Sequence, residues 1–294
     1  MCSPEVMAKV RQEISRRRML GLAGVAVGGV LVQSQHVAAA QDGSPVASPE
    51  TVPVASPAAT TMLPTGFTTV LDLTYTAAPD FPLFPGTPPF SIEIANDYAS
   101  DGYFSNNLTH NEHTATHMDA PAHFFEGAAT ADLIPVDQLI APLIVIDISD
   151  RAVSDPDAAV TADDITAWES ANGQIPYGAF VAMYSGWGSH LDVPDGYVNL
   201  DDAGVQHYPG FSPEASQFLV AERAIVGIGV DTLSLDPGNS ADFGSHVAIL
   251  GAGKYGIENL ANLEAAPAIG AFIIAGGPKT LGASGGWTRA IAIW

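Results

Sequence analysis

The chain has 294 residues, of which 47% are hydrophobic and only 14% charged, with 32 acidic residues against 10 basic ones. A chain this apolar buries a large core and is not disordered throughout; one this acidic repels phosphate backbones and anionic head groups, which excludes nucleic-acid binding. Cys2 is the sole cysteine, so there is no intrachain disulfide and no thiolate zinc site, and any metal must rest on histidines and carboxylates.

The first 40 residues hold five of the bases (Lys9, Arg11, Arg16, Arg17, Arg18) and two acids, leaving 30 acids against 5 bases beyond them. Arg16-Arg17-Arg18 leads into an uncharged run over 20–32, followed by Ala38-Ala39-Ala40. That layout predicts a secretory signal over 1–40, cut after Ala40, and the paired arginines resemble a twin-arginine signal. A bilayer span takes about 20 apolar residues, so the run reads as a cleaved signal with no stable membrane insertion afterwards. The expected destination is the periplasm, the cell wall or the medium. Residues 41–65 repeat Pro-Val-Ala-Ser-Pro at 45–49 and 53–57 and contain no alternating face, which predicts a disordered linker. One globular domain is expected over 66–294.

Within it, strands are predicted at 68–73, 91–95, 142–148, 179–184, 224–230, 268–275 and 289–294. Several are continuously apolar, as in strands buried on both faces. A helix follows the capping Thr161 and ends at Gly173; another follows Ser212 with Pro213 in its first turn; a third is expected over 242–250. Strands and helices mix without regular alternation, which predicts an α/β domain with a mixed sheet. Gly251-Ala252-Gly253 follows a helix rather than a strand, so it is not read as a nucleotide loop.

The most informative stretch is His113-Thr-Ala-Thr-His117-Met-Asp119-Ala-Pro121-Ala-His123. In an extended strand His113 and His117 would lie about 13 Å apart. The expectation is therefore a single helical turn carrying both on one face, broken before Pro121 so that Asp119 folds back to the same point. Two histidines and an aspartate suit a divalent ion.

The run resembles the H-x-G-T-H-x-D-x-P-x-H signature of the cyclase-like metal hydrolases, which include bacterial kynurenine formamidases and isatin hydrolases. The resemblance extends over about 67–294. Val70-Leu-Asp-Leu-Thr74, Phe84-Pro85-Gly86, Tyr184-Ser-Gly-Trp187, Pro209-Gly210-Phe-Ser-Pro-Glu-Ala215, Gly229-Val-Asp231-Thr-Leu-Ser-Leu-Asp236-Pro237 and the pair His246 and Glu258-Asn259-Leu260 are similar to its later segments. It implies a swivelling β/β/α cyclase-like domain and a homodimer or homotetramer. It also implies a metal site of His113, His117, Asp119, His246 and Glu258 holding one or two divalent ions, Zn²⁺ or Mn²⁺. His123 takes the place of the family's proton-transfer histidine, and Phe84, Trp187 and His207 are candidates for contact with a small-molecule substrate. Asp231, Thr232, Ser234 and Asp236 either orient ligands or, at Asp236-Pro237-Gly238, form a turn. Where the family has glycine, this chain has Ala115, a departure that matters if that position needs positive φ.

The expected activity is hydrolysis of a C–N bond in an aryl formamide, as in tryptophan catabolism to kynurenine, or in an isatin-like cyclic amide. A lactone hydrolase or cyclase would use the same residues. A non-catalytic exported binding protein would need the ligands but not His123, and a cell-surface interaction protein would hold no metal.

Overall fold

The computed structural model describes residues 66–294; the signal and linker expected over 1–40 and 41–65 lie outside the described residues. Thirteen strands occur there: β1 Val70–Asp72, β2 Ser91–Asn96, β3 Ser105–Thr109, β4 His117–Asp119, β5 Ile140–Asp147, β6 Ala159–Val160, β7 Phe180–Tyr184, β8 Gly210–Phe211, β9 Gly227–Val230, β10 Tyr255–Glu258, β11 Ala271–Gly276, β12 Gly285–Trp287 and β13 Arg289–Ile293. Nine of them form one mixed sheet in the order β1-β13-β11-β5-β7-β9-β10-β4-β12. Its centre, β5-β7-β9-β10, is parallel, and both flanks are antiparallel. β2 and β3 pair as a separate hairpin, and β6 pairs with β8.

The parallel centre explains the continuous apolar runs. One face packs Leu143, Val145, Phe180, Ala182 and Ile257 into one core, and the other packs Ile144, Ile146, Val181, Ile228 and Val230 into a second. The second core is covered by α1 Ala162–Asn172, α2 Pro213–Glu222 and α3 Gly244–Gly251. α1 starts as its sequence predicts: the Thr161 hydroxyl accepts from Asp164 N, the Asp164 carboxylate accepts from Thr161 N, and Gly173 ends the helix at φ +92. The buried Trp168 on α1 donates its indole N–H to Val145 O on β5, which fixes helix against sheet. α2 is capped by the Ser212 hydroxyl.

α3 begins two residues later than the sequence suggests. Phe243 takes the left-handed conformation at φ +52 and serves as its N-cap without a side-chain hydrogen bond. Among the described residues, no helix is long and apolar enough to cross a membrane.

Candidate active site

His117 and Asp119 stand two apart on β4, so their side chains leave the same face of the sheet. Glu258, at the end of β10, is the direct antiparallel partner of His117 and shares that face. The opposed partners of Asp119 on both neighbouring strands are glycines, Gly256 and Gly285. This leaves room for the imidazoles to converge on its carboxylate. His246 reaches the same point from α3, and His113 from the bend before β4.

That arrangement corrects the expected helical turn. His117 and Asp119 are on a strand, and His113 is brought back by Ala115, which has φ +54. An L-residue pays about 1–2 kcal/mol for that conformation. Its carbonyl, turned inward, accepts from His117 Nδ1 at 2.8 Å and from Asn259 Nδ2 at 2.9 Å.

The five groups are tightly clustered. Asp119 Oδ1 lies 2.6 Å from His113 Nδ1 and 3.4 Å from His117 Nε2, and Asp119 Oδ2 lies 3.3 Å from His246 Nε2. Glu258 likewise spans the cluster, with Oε2 3.3 Å from His117 Nε2 and Oε1 3.1 Å from His246 Nε2. Each imidazole is held in one tautomer from behind. His117 Nδ1 donates to the Ala115 carbonyl, and His246 Nδ1 donates to Asp236 Oδ2 at 2.6 Å. Ser284 Oγ donates its proton to Glu112 Oε2, so it accepts from His113 Nε2 at 2.9 Å.

These contacts leave His117 Nε2, His246 Nε2 and His113 Nδ1 turned toward the two carboxylates. His117 Nε2 and Asp119 Oδ2 are buried without any aligned hydrogen-bond partner. Buried polar atoms are seldom left so, and a cluster of nitrogen and carboxylate lone pairs with orphaned members fits a divalent cation. His113, His117 and Asp119 form one group able to grip an ion; Asp119, His123 and His246 form another. Without an ion, the carboxylates hold protons on His117 and His246. Burial pulls His117 and His246 down, but Asp119 and Glu258 outweigh it. They raise His117 to about 10 and, with Asp236, hold His246 well above its ordinary value.

His123 ends the helical turn Pro121–His123 and stacks on His113 with ring centres 3.8 Å apart. Burial is the main cause that pulls it down to about 3, so the ring is neutral at pH 7. Beside these groups lies a cavity of about 380 Å³. Pro82, Leu83, Phe84, Phe124, Leu233 and Phe243 supply its apolar lining, and no lysine or arginine lines it. Phe84, expected as a substrate contact, lines the cavity. Trp187 and His207 do not line the cavity. Trp187 is buried behind it, packed with Ala115 and Leu233 and donating to Tyr197 O. His207 sits among Asp157 and Asp201, which raise it above its ordinary value.

Asp236, rather than making only a turn, accepts from Ser245 N, His246 N and His246 Nδ1. Asp231 accepts from Ser185 N, Ser185 Oγ and Trp187 N, and burial pushes it up to about 6. Sequence reasoning missed Thr114, Phe124 and Phe243 on the cavity wall and the Glu112–Ser284 support of His113. None of these carries a spacing signal. Phe243 is four positions before Val247 on a helix whose left-handed cap was not visible.

Comparisons with known proteins point to one family. The family model described as putative cyclase matches residues 71–237. The isatin hydrolase of Roseibium aggregatum is 36% identical over 225 residues, covering 73% of this chain and 84% of that protein. The kynurenine formamidase of Paracidovorax citrulli is 28% identical over 61% of this chain and 76% of its own length. Among solved structures, isatin hydrolase A from Labrenzia aggregata bound to benzyl benzoate superposes with a TM-score of 0.73 at 35% identity, covering 76% of this chain and 93% of that one. An isatin hydrolase bound to the product analogue thioisatinate gives the same TM-score at 33% identity, covering 76% of this chain and 92% of its own. The chain belongs to the cyclase-like family of metal-dependent hydrolases.

Proposed function

We propose that the protein is an exported hydrolase that opens the C–N bond of a neutral, isatin-like cyclic aryl amide. The observation that carries this reading is the cavity lining. Its walls are largely aromatic and aliphatic, they adjoin the histidine–carboxylate cluster, and no lysine or arginine lines them. A substrate bearing an amino-acid carboxylate, such as N-formylkynurenine, would bury that charge unpaired. A flat neutral heterocycle would not. The likeness to isatin hydrolases supports the same choice.

His113, His117, Asp119, His246 and Glu258 would hold one or two divalent ions, Zn²⁺ or Mn²⁺ by the chemistry of the donors. Such an ion supplies Lewis acidity to a carbonyl oxygen and acidifies water toward neutral pH. The protein's own residues do the rest. Asp236, Ala115 and the Glu112–Ser284 pair keep the rings in the ligating tautomer. Leu83, Phe84, Phe124 and Phe243 exclude bulk water from the cavity. His123, neutral at pH 7, takes a proton from the attacking water as the C–O bond forms. It returns that proton to the nitrogen as the C–N bond breaks, yielding an arylamine and a carboxylate. Residues 1–40 serve export and 41–65 act as a spacer, so secreted protein should begin near Gln41.

The test is turnover of isatin, formanilide, N-formylkynurenine and an aryl lactone by protein supplied separately with Zn²⁺ and Mn²⁺. Isatin should be opened, and a chelator should abolish it. Turnover of N-formylkynurenine without turnover of isatin would overturn the reading.

A further inference from the structure

We infer that the Thr114 hydroxyl is a substrate-binding group that donates a hydrogen bond to a second substrate oxygen beside the carbonyl under attack. This rests on the hydrolase reading above and narrows its substrates to amides that carry an adjacent carbonyl.

Among the described residues, the buried side-chain nitrogen and oxygen atoms without a hydrogen-bond partner are Thr114 Oγ1, His117 Nε2, Asp119 Oδ2, Ser216 Oγ and Trp287 Nε1. Two of these, His117 Nε2 and Asp119 Oδ2, face the ion centre. Ser216 and Trp287 do not line the cavity, whereas Thr114 does, at 2% exposure. Neighbouring polar side chains of the wall are already committed. Asn259 donates to Ala115 O and accepts from Tyr197 Oη; His117 Nδ1 donates to Ala115 O; Ser234 Oγ accepts from Asp236 N. Thr114 is thus a buried hydroxyl without a partner on the cavity wall, and burying a hydroxyl unpaired is unfavourable. A ligand oxygen relieves that deficit.

Position selects which oxygen. Thr114 lies directly between His113 and Ala115, and all three line the cavity. Consecutive Cα atoms are about 3.8 Å apart, and the left-handed turn at Ala115 fixes this segment beside the cluster. Thr114 therefore stands on the part of the wall nearest the reacting carbonyl rather than at the far rim. A vicinal dicarbonyl places its second oxygen there; a simple formamide has none to offer.

The experiment compares Thr114→Val, which keeps the shape and removes the hydroxyl, with Thr114→Ser, which keeps the hydroxyl. Isatin carries two adjacent carbonyls and formanilide one. Thr114→Val should lower kcat/KM for isatin about tenfold, chiefly through KM, and shrink the preference for isatin over formanilide; Thr114→Ser should stay within about threefold of the parent. Removing the unpaired hydroxyl should also raise the Tm of the metal-free protein by about 2–4 °C. Isatin should raise the Tm of the parent more than that of Thr114→Val. An unchanged isatin kcat/KM in Thr114→Val, or a lowered Tm, would overturn the inference. If the parent hydrolyses neither compound, the hydrolase reading fails. Thr114 is then judged on the isatin-induced Tm shift alone: a smaller shift in Thr114→Val sustains its role, and an equal one refutes it.

Discussion

Asp236→Asn tests how the ring of His246 is aimed. The native carboxylate accepts three hydrogen bonds: Ser245 N on Oδ1 at 2.7 Å, and His246 N at 3.1 Å and His246 Nδ1 at 2.6 Å on Oδ2. Asparagine offers one carbonyl oxygen for these donors. If its oxygen stays with His246, its NH₂ meets the Ser245 N–H, and a buried donor is left unpaired at about 1–3 kcal/mol. If its oxygen serves Ser245, its NH₂ faces His246. The ring must then accept at Nδ1 and carry its proton on Nε2, the nitrogen needed by an ion. Loss of such a carboxylate behind a metal-binding histidine costs roughly 10–100-fold in affinity, or about 1.4–2.7 kcal/mol. Competition with a chromophoric chelator for Zn²⁺ measures this directly, and ¹⁵N NMR of the imidazole reads the tautomer. The Tm of the metal-free variant should fall by several degrees. Parental Zn²⁺ affinity in Asp236→Asn would refute the claim that this carboxylate sets the ligating tautomer.

Three further outcomes follow from the geometry. A methyl group at Gly285 would overlap Met118 O and come within 2.7 Å of His113 Cε1, so Gly285→Ala should destabilise by about 1–3 kcal/mol and weaken metal binding, as read by melting and metal analysis. His123→Ala should retain metal and fold but lose roughly 10²–10⁴ in kcat; loss of the metal would make His123 a ligand, a role its grouping with Asp119 and His246 allows. His117 is raised to about 10 in the metal-free site, so an incoming ion must displace its proton. Apparent affinity should therefore rise with pH, with protons released on binding, as calorimetry in two buffers would show. The linked stability has the opposite sign. A raised imidazole stabilises the metal-free fold fully below pH about 6.5 and loses that contribution as pH climbs toward about 10, so the metal-free Tm should fall over that range.

The sequence reveals what is carried by crowding or by caps. Three histidines and an aspartate within eleven residues marked the site, and Thr161 with Gly173 marked both ends of α1. The strands that bear the ligands escaped notice for a physical reason. β4 is three residues long and two of them are His117 and Asp119; β10 ends in Glu258. Polar ligands erase the apolar pattern by which a strand is recognised. The local geometry at His113 was misread because alanine gives no sign of positive φ, whereas the glycine of the resembled signature would have. Thr114 and Ser284 were silent for a different cause: Ser284 holds His113 and Glu112 across the chain, and Thr114 stands out by a missing partner, neither of which any spacing records.

The seam between β10 and β4 has a consequence for the order in which the molecule comes apart. Three residue pairs join these strands, and beyond β4 only β12 remains. An ion gripped by His117 and Glu258 would act as a rivet through the opposed pair at one end of that seam. Its binding energy would be added to the local opening cost of the sheet's margin. Hydrogen exchange in β4 and β12 should then slow on loading while β5 and β7 change little. Because His113, His117 and Asp119 lie far along the chain from His246 and Glu258, a partly synthesised or partly folded chain has no rivet hole. Metal uptake would thereby read out completion of the fold, since only the finished sheet brings the two halves of the site together.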